Sequence, residues 1–207
     1  MIVIIDYGLG NLNSVLNALN LLGIEAEISR DIEKIKKADK LILPGVGAFE
    51  EGMKNLKAFG LIEILNHEVL VKKKPILGIC LGMQLFCNKS YEDGEFEGLK
   101  WIDAEVVKFD LKDKSLRIPH VGWNDIECDL DCALFAGGDK TQTFYFVHSY
   151  YLAPKNKEIA KGICNYEIDF CAVLEKENIF ATQFHPEKSQ TEGLEILKKF
   201  NQIGVEK

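Results

Sequence analysis

The chain reads PILGICLGMQL from Pro75 to Leu85, and this stretch is the most informative feature of the sequence. The apolar run 75–79 predicts a buried strand, and 81–87 predicts the start of a helix, so Cys80 falls on the turn between them. A nucleophile between two glycines at a strand-to-helix turn is the elbow that presents a reactive side chain at the edge of an α/β sheet. Glycine permits the sharp bend, and the helix N-terminus favours the thiolate. The alternative is a buried core cysteine without chemistry.

Around this turn, the first half of the chain alternates strands and helices. Strands are predicted at 1–5, 25–29, 40–43 and 75–79. Helices are predicted at 12–22, at 31–39 (with Ile32 and Ile35 inward), as two stretches over about 50–71, and at 81–87. The second half has short β-branched or aromatic segments between turn signals, and ends in a helix with Leu194, Leu197 and Phe200 on one stripe. The pattern predicts an open, mostly parallel sheet with helices on both faces and added antiparallel strands, in a single domain spanning 1–207.

Composition narrows the class of partner. The 207 residues are 47% hydrophobic and carry a net charge of −7, which argues against a nucleic-acid or anionic-membrane surface as the main partner. The basic run 72–74 is interpreted as a solvated helix end. No apolar run reaches the roughly 18 residues of a membrane span, and Met1 leads directly into strand residues with no signal peptide. We therefore expect a cytoplasmic protein.

The six cysteines are interpreted as thiols, because disulfides are rare in the cytoplasm. Cys87 follows Cys80 by seven residues and is expected on the same helical face, in the core. The remaining four cysteines lack the paired spacing of structural zinc and have no histidine close in sequence. They are Cys128, Cys132, Cys164 and Cys171. We predict no metal site and no cofactor.

A cysteine nucleophile needs a base, and His185 is the strongest of the four histidines. It lies in Thr182-Gln183-Phe184-His185-Pro186-Glu187-Lys188, where a carboxylate follows two residues later and Pro186 fixes the turn. Glu187 can hold the imidazole through its second nitrogen, as the third member of a triad does. Taken alone, a His-x-Glu pair is more often a structural turn.

A second glycine turn follows the third predicted strand, at Gly45-Val46-Gly47. Acyl transfer needs donors for a developing oxyanion, and backbone amides supply them without reorganisation. One expected donor is the amide of Leu81. The glycine turn can provide another, because the carboxyl ends of neighbouring strands meet at the edge where ligands of open α/β sheets bind.

Together these segments resemble the signature of class I (triad) glutamine amidotransferases, which implies a flavodoxin-like fold. The stretches 78–84 and 184–187 carry that resemblance. Three further stretches resemble the family of glutaminase subunits of imidazole glycerol phosphate synthase: 5–11, 44–49 and 119–124. The resemblance spans nearly the whole chain.

The resemblance implies that Cys80 attacks the side-chain amide of L-glutamine, with His185 as base and Glu187 orienting it. Further residues would line the glutamine site: Gly47, Gln84, Ser149 and Tyr150. Ammonia would pass to a (β/α)8-barrel cyclase subunit in a heterodimer, without nucleic acid or membrane. Residues implied to face that partner are Asn11, Pro119, Trp123, Asn124 and Lys188. Without the resemblance, Trp123 fits an interface anchor and a partly buried core residue equally well.

Other interpretations remain open at this stage. The chain departs from the family's usual residues at Asn13, 87–93, 100–101 and Val121, outside the triad. These departures bear on the ammonia acceptor, so a paralogous subunit that feeds a different synthase, for example one amidating surface-glycan nonulosonate sugars, is an alternative. A cysteine peptidase and an inactive regulatory paralogue are further alternatives.

Overall fold

A nine-stranded mixed sheet forms the centre of the molecule in the computed structural model, which describes residues 1–204. Positions 205–207 of the predicted domain lie outside the described residues. The strands are β1 (Ile2–Ile5), β2 (Ala26–Ser29), β3 (Lys40–Gly45), β4 (Ile76–Cys80), β5 (Lys89–Ser90), β6 (Phe96–Glu97), β7 (Ala104–Lys108), β8 (His120–Cys128), β9 (Thr141–His148), β10 (Tyr150–Pro154), β11 (Ala160–Tyr166), β12 (Ile168–Lys176) and β13 (Ile179–Thr182). The helices are α1 (Leu12–Leu21), α2 (Ile32–Lys37), α3 (Phe49–Ala58), α4 (Leu61–Asn66), α5 (Leu81–Leu85) and α6 (Gln190–Gln202).

One half of the large sheet is parallel, in the order β2-β1-β3-β4-β13. Four of these strands, β1, β3, β4 and β13, are buried at every position. This explains their unbroken apolar runs, since strands covered on both faces show no polar alternation. The sequence prediction of a parallel α/β core is confirmed.

The other half is antiparallel and continues through β12, β11, β8 and β9. The predicted strands of the second half are therefore present as an extension of the parallel core. A second sheet of four short strands, β10-β7-β5-β6, was not predicted. Its members β5 and β6 have two residues each, too few for a hydrophobic period to show.

Two apolar layers cover the large sheet, one on each face. In β1, Val3 and Ile5 pack into the layer that includes α3 and α4, whereas Ile2 and Ile4 pack into the layer that includes α1 and α6. The alternation follows from the two-residue period of a strand. Within the described residues, no helix is both long and apolar enough to cross a lipid bilayer.

Three local predictions are wrong. Ile32 is 44% exposed, because α2 has only six residues and buries only Ile35. Lys74 is buried instead of solvated: its ammonium pairs with Glu68 at 2.8 Å and donates to the carbonyls of Ile35 and Lys36, which end α2. Cys87 is in the core, but α5 ends at Leu85, so Cys87 shares no helical face with the elbow.

Candidate active site

Three strand ends meet at one edge of the large sheet. The register pairs Gly45 at the end of β3 with Cys80 at the end of β4, and Thr182 at the end of β13 with Ile79. The chain then continues from each strand into the glycine turn, the elbow and the His185 segment respectively. The fold therefore brings together the three stretches that the sequence singled out.

The elbow is held by close contact between backbone segments. Cys80 has φ 53° and ψ −106°, a conformation that is strained for a residue with a side chain. A Cβ added to Gly82 would lie 1.7 Å from the carbonyl oxygen of Leu43 in β3. One added to Gly78 would lie 2.6 Å from the Phe86 ring. Both glycines are therefore required by space, and the elbow is fixed against the neighbouring strand.

His185 and Glu187 form a buried pair beside Cys80. The imidazole Nδ1 lies 2.9 Å from Oε1 of Glu187, and both side chains are 2% exposed. The His185 amide donates to the carbonyl of Tyr145 at 3.0 Å, and Oγ of Ser189 donates to the carbonyl of His185 at 2.7 Å. The turn is thus attached to β9 on one side and to the start of α6 on the other.

The charge state of His185 is set by opposing effects. Burial lowers its pKa, but the interactions with Cys80 and Glu187 outweigh burial and raise the pKa to about 10. Because Nδ1 faces Glu187, the interaction with sulfur falls on Nε2, which has no hydrogen bond of ordinary geometry within residues 1–204. The raised pKa favours the imidazolium form of His185 near pH 7.

A cavity of about 350 Å³ opens over Cys80, within the size range of small-molecule sites. It is lined by Val46, Gly47, Cys80, Leu81, Gln84, Glu92, Val147, His148, Ser149, Tyr150 and Lys188. This set includes every predicted oxyanion or substrate residue except Gly45, which lies beside Cys80 in the sheet register. A larger groove, about 910 Å³, lies between α3, α4 and β6 and contains no triad residue.

The glycine turn is packed at one end and open at the other. A Cβ on Gly45 would lie 2.1 Å from the hydroxyl oxygen of Tyr7 and 2.9 Å from Cβ of Leu81. Gly47 has φ +113° and is exposed, a conformation that favours glycine. The turn therefore starts from a fixed point and ends in a residue free to change conformation.

Two residues to which the sequence assigned no role, Gln183 and Glu92, make contacts at the elbow or line the cavity. Nε2 of Gln183 lies 3.6 Å from Sγ of Cys80. Oε2 of Glu92 accepts the amide of Phe49 at 2.7 Å, and burial raises the pKa of Glu92. The signal for Gln183 was its position two residues before His185, since alternate residues of an extended segment point the same way. Glu92 lies in a loop without a comparable signal.

A buried histidine pair adjoins the cavity. Nδ1 of His120 lies 3.0 Å from Nε2 of His148, whose Nδ1 donates to the carbonyl of Tyr150 at 2.8 Å. Burial lowers the pKa of His148 to about 3 and that of His120 to about 4, so both are neutral near pH 7. The carbonyl of Tyr150 can only accept, which places the His148 proton on Nδ1 and the His120 proton on the Nδ1 that faces it.

Of the predicted partner-facing residues, four are exposed: Asn11, Pro119, Trp123 and Lys188. Trp123 is 47% exposed and neighbours the half-buried Tyr145, with ring centroids 6.0 Å apart. The Lys188 ammonium lies 6.0 Å from the same Tyr145 ring. Asn124 lies on the opposite side of β8 from Trp123, where it donates to the carbonyl of Asn165 at 3.2 Å.

The cysteines outside the elbow are buried free thiols: Cys87, Cys128, Cys132, Cys164 and Cys171. Burial raises the pKa of each of them, to about 12 for Cys87, Cys128, Cys164 and Cys171. Over residues 1–204, no three His, Cys, Asp or Glu side chains are grouped so that they could hold a metal ion.

The chain is similar to known proteins over almost its full length. The family described as Glutamine amidotransferase class-I matches residues 3–203. The chain is 53% identical to imidazole glycerol phosphate synthase subunit HisH 1 of Campylobacter jejuni (strain RM1221), over 97% of this chain and 98% of the relative. It is 44% identical to imidazole glycerol phosphate synthase subunit HisH 2 of Pseudomonas aeruginosa, over 98% and 100%.

Solved structures are similar in fold at low sequence identity. A crystal structure of a glutamine amidotransferase superimposes with a TM-score of 0.72 at 21% identity, covering 97% of each chain. The structure of PurLQS from Thermotoga maritima gives a TM-score of 0.72 at 15% identity, also covering 97% of each chain.

Proposed function

Because this chain belongs to the class-I glutamine amidotransferase family, we propose that it is the subunit of an imidazole glycerol phosphate synthase that hydrolyses L-glutamine and supplies the ammonia. The observation that carries the chemistry is that Cys80 lines a cavity at the sheet edge and interacts with the buried pair of His185 and Glu187. Histidine biosynthesis is supported by the relatives, which are subunits of imidazole glycerol phosphate synthase. The chain acts as a single cytoplasmic domain in histidine biosynthesis.

The first half-reaction transfers the γ-glutamyl group to sulfur. His185 takes the proton of the Cys80 thiol, and the thiolate attacks the side-chain carbonyl carbon of glutamine. The amides of Leu81 and of the 45–47 turn donate to the oxyanion of the tetrahedral intermediate. The carbon–nitrogen bond then breaks, His185 returns its proton to the leaving nitrogen, and ammonia departs from a thioester.

The second half-reaction restores the thiol. His185 removes a proton from water, the hydroxide attacks the thioester, and the carbon–sulfur bond breaks to release glutamate. The proton returns from His185 to sulfur. Glu187 stabilises the imidazolium in both halves, because its carboxylate faces Nδ1 from a buried position. Gln84, Ser149 and Tyr150 line the cavity where the amino-acid end of the substrate binds.

The surface of β8 and β9 beside the cavity is proposed to bind the partner, a (β/α)8-barrel cyclase, in a heterodimer. Val121 and Trp123 are 55% and 47% exposed on this surface, and large exposed apolar residues mark interaction sites. We assign Pro119 and Lys188 to the same partner-binding surface, and propose that Asn11, just before α1, provides a further contact with the partner. Asn124 is withdrawn from this surface by its hydrogen bond to Asn165.

Steady-state glutamate release tests the proposal, measured on the chain alone and with the co-purified synthase subunit and its nucleotide substrate. We expect little release from the chain alone, a large stimulation by partner and substrate, and loss of release in Cys80→Ala. Cys164→Ala is the matched control, a buried free thiol remote from the elbow, and should retain release. Turnover that survives Cys80→Ala, or peptide cleavage without glutamine turnover, would contradict the assignment.

A different acceptor is the second candidate. Relatives at 53% and 44% identity carry numbered subunit names, HisH 1 and HisH 2, which favours a paralogous subunit as the alternative. Such a subunit would perform the same chemistry at Cys80 but deliver ammonia to another synthase. The synthase that co-purifies with the chain, and the nitrogen-15 product formed from amide-labelled glutamine, distinguish the two. Stoichiometric labelling of Cys80 by a glutamine-mimicking electrophile would exclude an inactive regulatory paralogue.

A further inference from the structure

Gln183 places a fully buried carboxamide against the reactive sulfur. Its Nε2 lies 3.6 Å from Sγ of Cys80, and the residue is 0% exposed. Gln183 lies between the end of β13 and the His185 turn, and its side chain contacts the sulfur. The triad chemistry described above makes no use of it.

The orientation of this amide follows from its neighbours. The carbonyl of Tyr150 can only accept, so Gln84 must present its NH2 group there, at 2.9 Å. The second hydrogen of that NH2 group faces Oε1 of Gln183, at 3.2 Å. With its oxygen thus engaged, Gln183 must present its own NH2 group to Cys80. Gln84 thus donates both to the carbonyl of Tyr150 and to Gln183, and Gln183 donates to the sulfur. No flip of either amide satisfies the same partners.

We propose that Gln183 is a further catalytic residue: its side-chain N–H donates to Cys80 and stabilises the thiolate relative to the thiol. The hydrogen bond from Gln84 to Oε1 of Gln183 fixes the orientation of this amide. This inference rests on the proposed glutaminase function. A donor to the charged form of a group favours that form, and thiolate is the nucleophile. Glutamine suits this position because it is uncharged at every working pH, whereas a glutamate would turn a carboxylate oxygen towards the sulfur. Gln84, which lines the cavity, thereby links the substrate site to the nucleophile.

The rate of Cys80 carbamidomethylation by iodoacetamide, followed by peptide mass spectrometry between pH 5 and 9, tests the proposal without glutamine turnover. Gln183→Leu keeps the approximate volume and removes the donor. A hydrogen bond to a charged group is worth about a factor of ten, so we expect the rate at pH 7 to fall about five- to tenfold and the profile to move to higher pH. The kcat for glutamate release should fall by a similar factor with KM little changed.

Two further variants complete the test. Gln183→Glu keeps the acceptor for Gln84 but replaces the donor by a carboxylate, so it should slow alkylation at least as much, and it serves if the leucine variant does not fold. Thr182→Val is the matched control, because it removes a neighbouring buried hydroxyl that bonds the carbonyl of Phe184 and does not contact sulfur. It should alkylate at the native rate.

The outcomes separate this inference from the proposed function. If folded Gln183→Leu and Gln183→Glu are alkylated within twofold of the native rate at all pH values, the donor role is wrong and the amide is structural. That result would leave glutamine hydrolysis by Cys80 intact. If Cys80→Ala retains full glutamate release, the proposed function fails whatever the alkylation profile shows.

Discussion

Gly193→Ala is expected to damage the active site from a helix that does not touch substrate. Gly193 lies in the first turns of α6, and a Cβ there would be 1.9 Å from the carbonyl oxygen of Pro186 and 2.8 Å from Cβ of Ser189. Ordinary contact begins near 3.4 Å, so α6 and the turn carrying His185 and Glu187 would have to separate by about 1.5 Å. Neither contact can be relieved by rotation of a flexible side chain.

The magnitude follows from two opposing effects. Alanine in place of a helical glycine contributes about 1 kcal/mol of stability. Overpacking costs about 1–3 kcal/mol, and contact with backbone places Gly193→Ala at the upper end. The expected net loss is about 2 kcal/mol in the free energy of unfolding, or roughly 4–8 °C in Tm. Since a displacement of about 1 Å at a catalytic group can cost a hundredfold, glutamate release should fall by about that factor.

Gly52→Ala is the matched control. Gly52 is also a buried helical glycine, in α3, but an added Cβ would meet the flexible end of Leu85 at 3.1 Å, which can give way. Its stability should be native or up to about 1 kcal/mol higher. Urea unfolding compares the two variants, and glutamate release in the partner complex measures the catalytic effect. The reasoning is refuted if Gly193→Ala is as stable as Gly52→Ala, or if it unfolds early yet turns over glutamine within threefold of the native rate.

Three further outcomes are expected. Gly45→Ala should lower the free energy of unfolding, because the added Cβ meets Oη of Tyr7. Adding Tyr7→Phe to this variant should restore part of that free energy by removing the oxygen. Additive effects of the two substitutions in a double-mutant cycle, measured by urea unfolding, would contradict this contact. Cys80→Ser should lower the pKa of His185 from about 10 in an NMR titration, because the interaction with Cys80 raises it; an unchanged pKa in the variant would count against this coupling. The raised pKa stabilises the native fold fully below pH 6.5, and this contribution is lost as pH rises towards 10. Burial lowers the pKa of His120 from 6.5 to about 4, so the stability that its neutral form contributes is full above pH 6.5 and is lost as pH falls towards 4. His120→Gln should therefore reduce the pH dependence of the unfolding free energy near pH 5 by up to about 1.4 kcal/mol per pH unit. Equal slopes in both proteins would show that the protonation of this histidine does not change on unfolding.

The parallel core and the elbow could be predicted because their signals are local. An unbroken apolar run predicts a strand buried on both faces, and β1, β3 and β4 are such strands. β13 was not predicted as part of this core: it lies in the half where antiparallel strands were expected, yet it pairs with β4 in parallel. Once strands are parallel, their carboxyl ends share an edge, which placed the 45–47 turn near Cys80 before any coordinates. The assignment to the class I glutamine amidotransferases, made from motifs in order along the chain, is confirmed by the family match and by relatives above 40% identity. The catalytic roles of individual residues stay predictions.

Other features depend on contacts between distant segments, which leave a weak signal or none in the sequence. Gln183 contacts Cys80, 103 positions away in sequence, and Gln84 contacts Gln183, 99 positions away. The sequence places Lys74 in a basic run typical of a surface, but its buried ammonium donates to the carbonyls of Ile35 and Lys36 near the end of α2. No periodic pattern in the sequence indicates such a contact. Asn124 shares a motif with Trp123, but adjacent residues of a strand face opposite sides, and the motif alone does not say which side is buried.

The position of β9 explains how one strand can serve both the proposed partner surface and the catalytic base. The side chain of Tyr145 lies among Trp123 and Lys188 on the exposed side, while its backbone carbonyl accepts the amide of His185 at 3.0 Å. Its amide donates to Oγ of Ser189, which in turn donates to the carbonyl of His185. A partner that displaced this strand would therefore move the imidazole through two hydrogen-bonded routes. The same displacement acts on the cavity wall, since Val147 and His148 follow directly in β9. The proposed stimulation of glutamine hydrolysis by a partner would then need no contact between that partner and the triad.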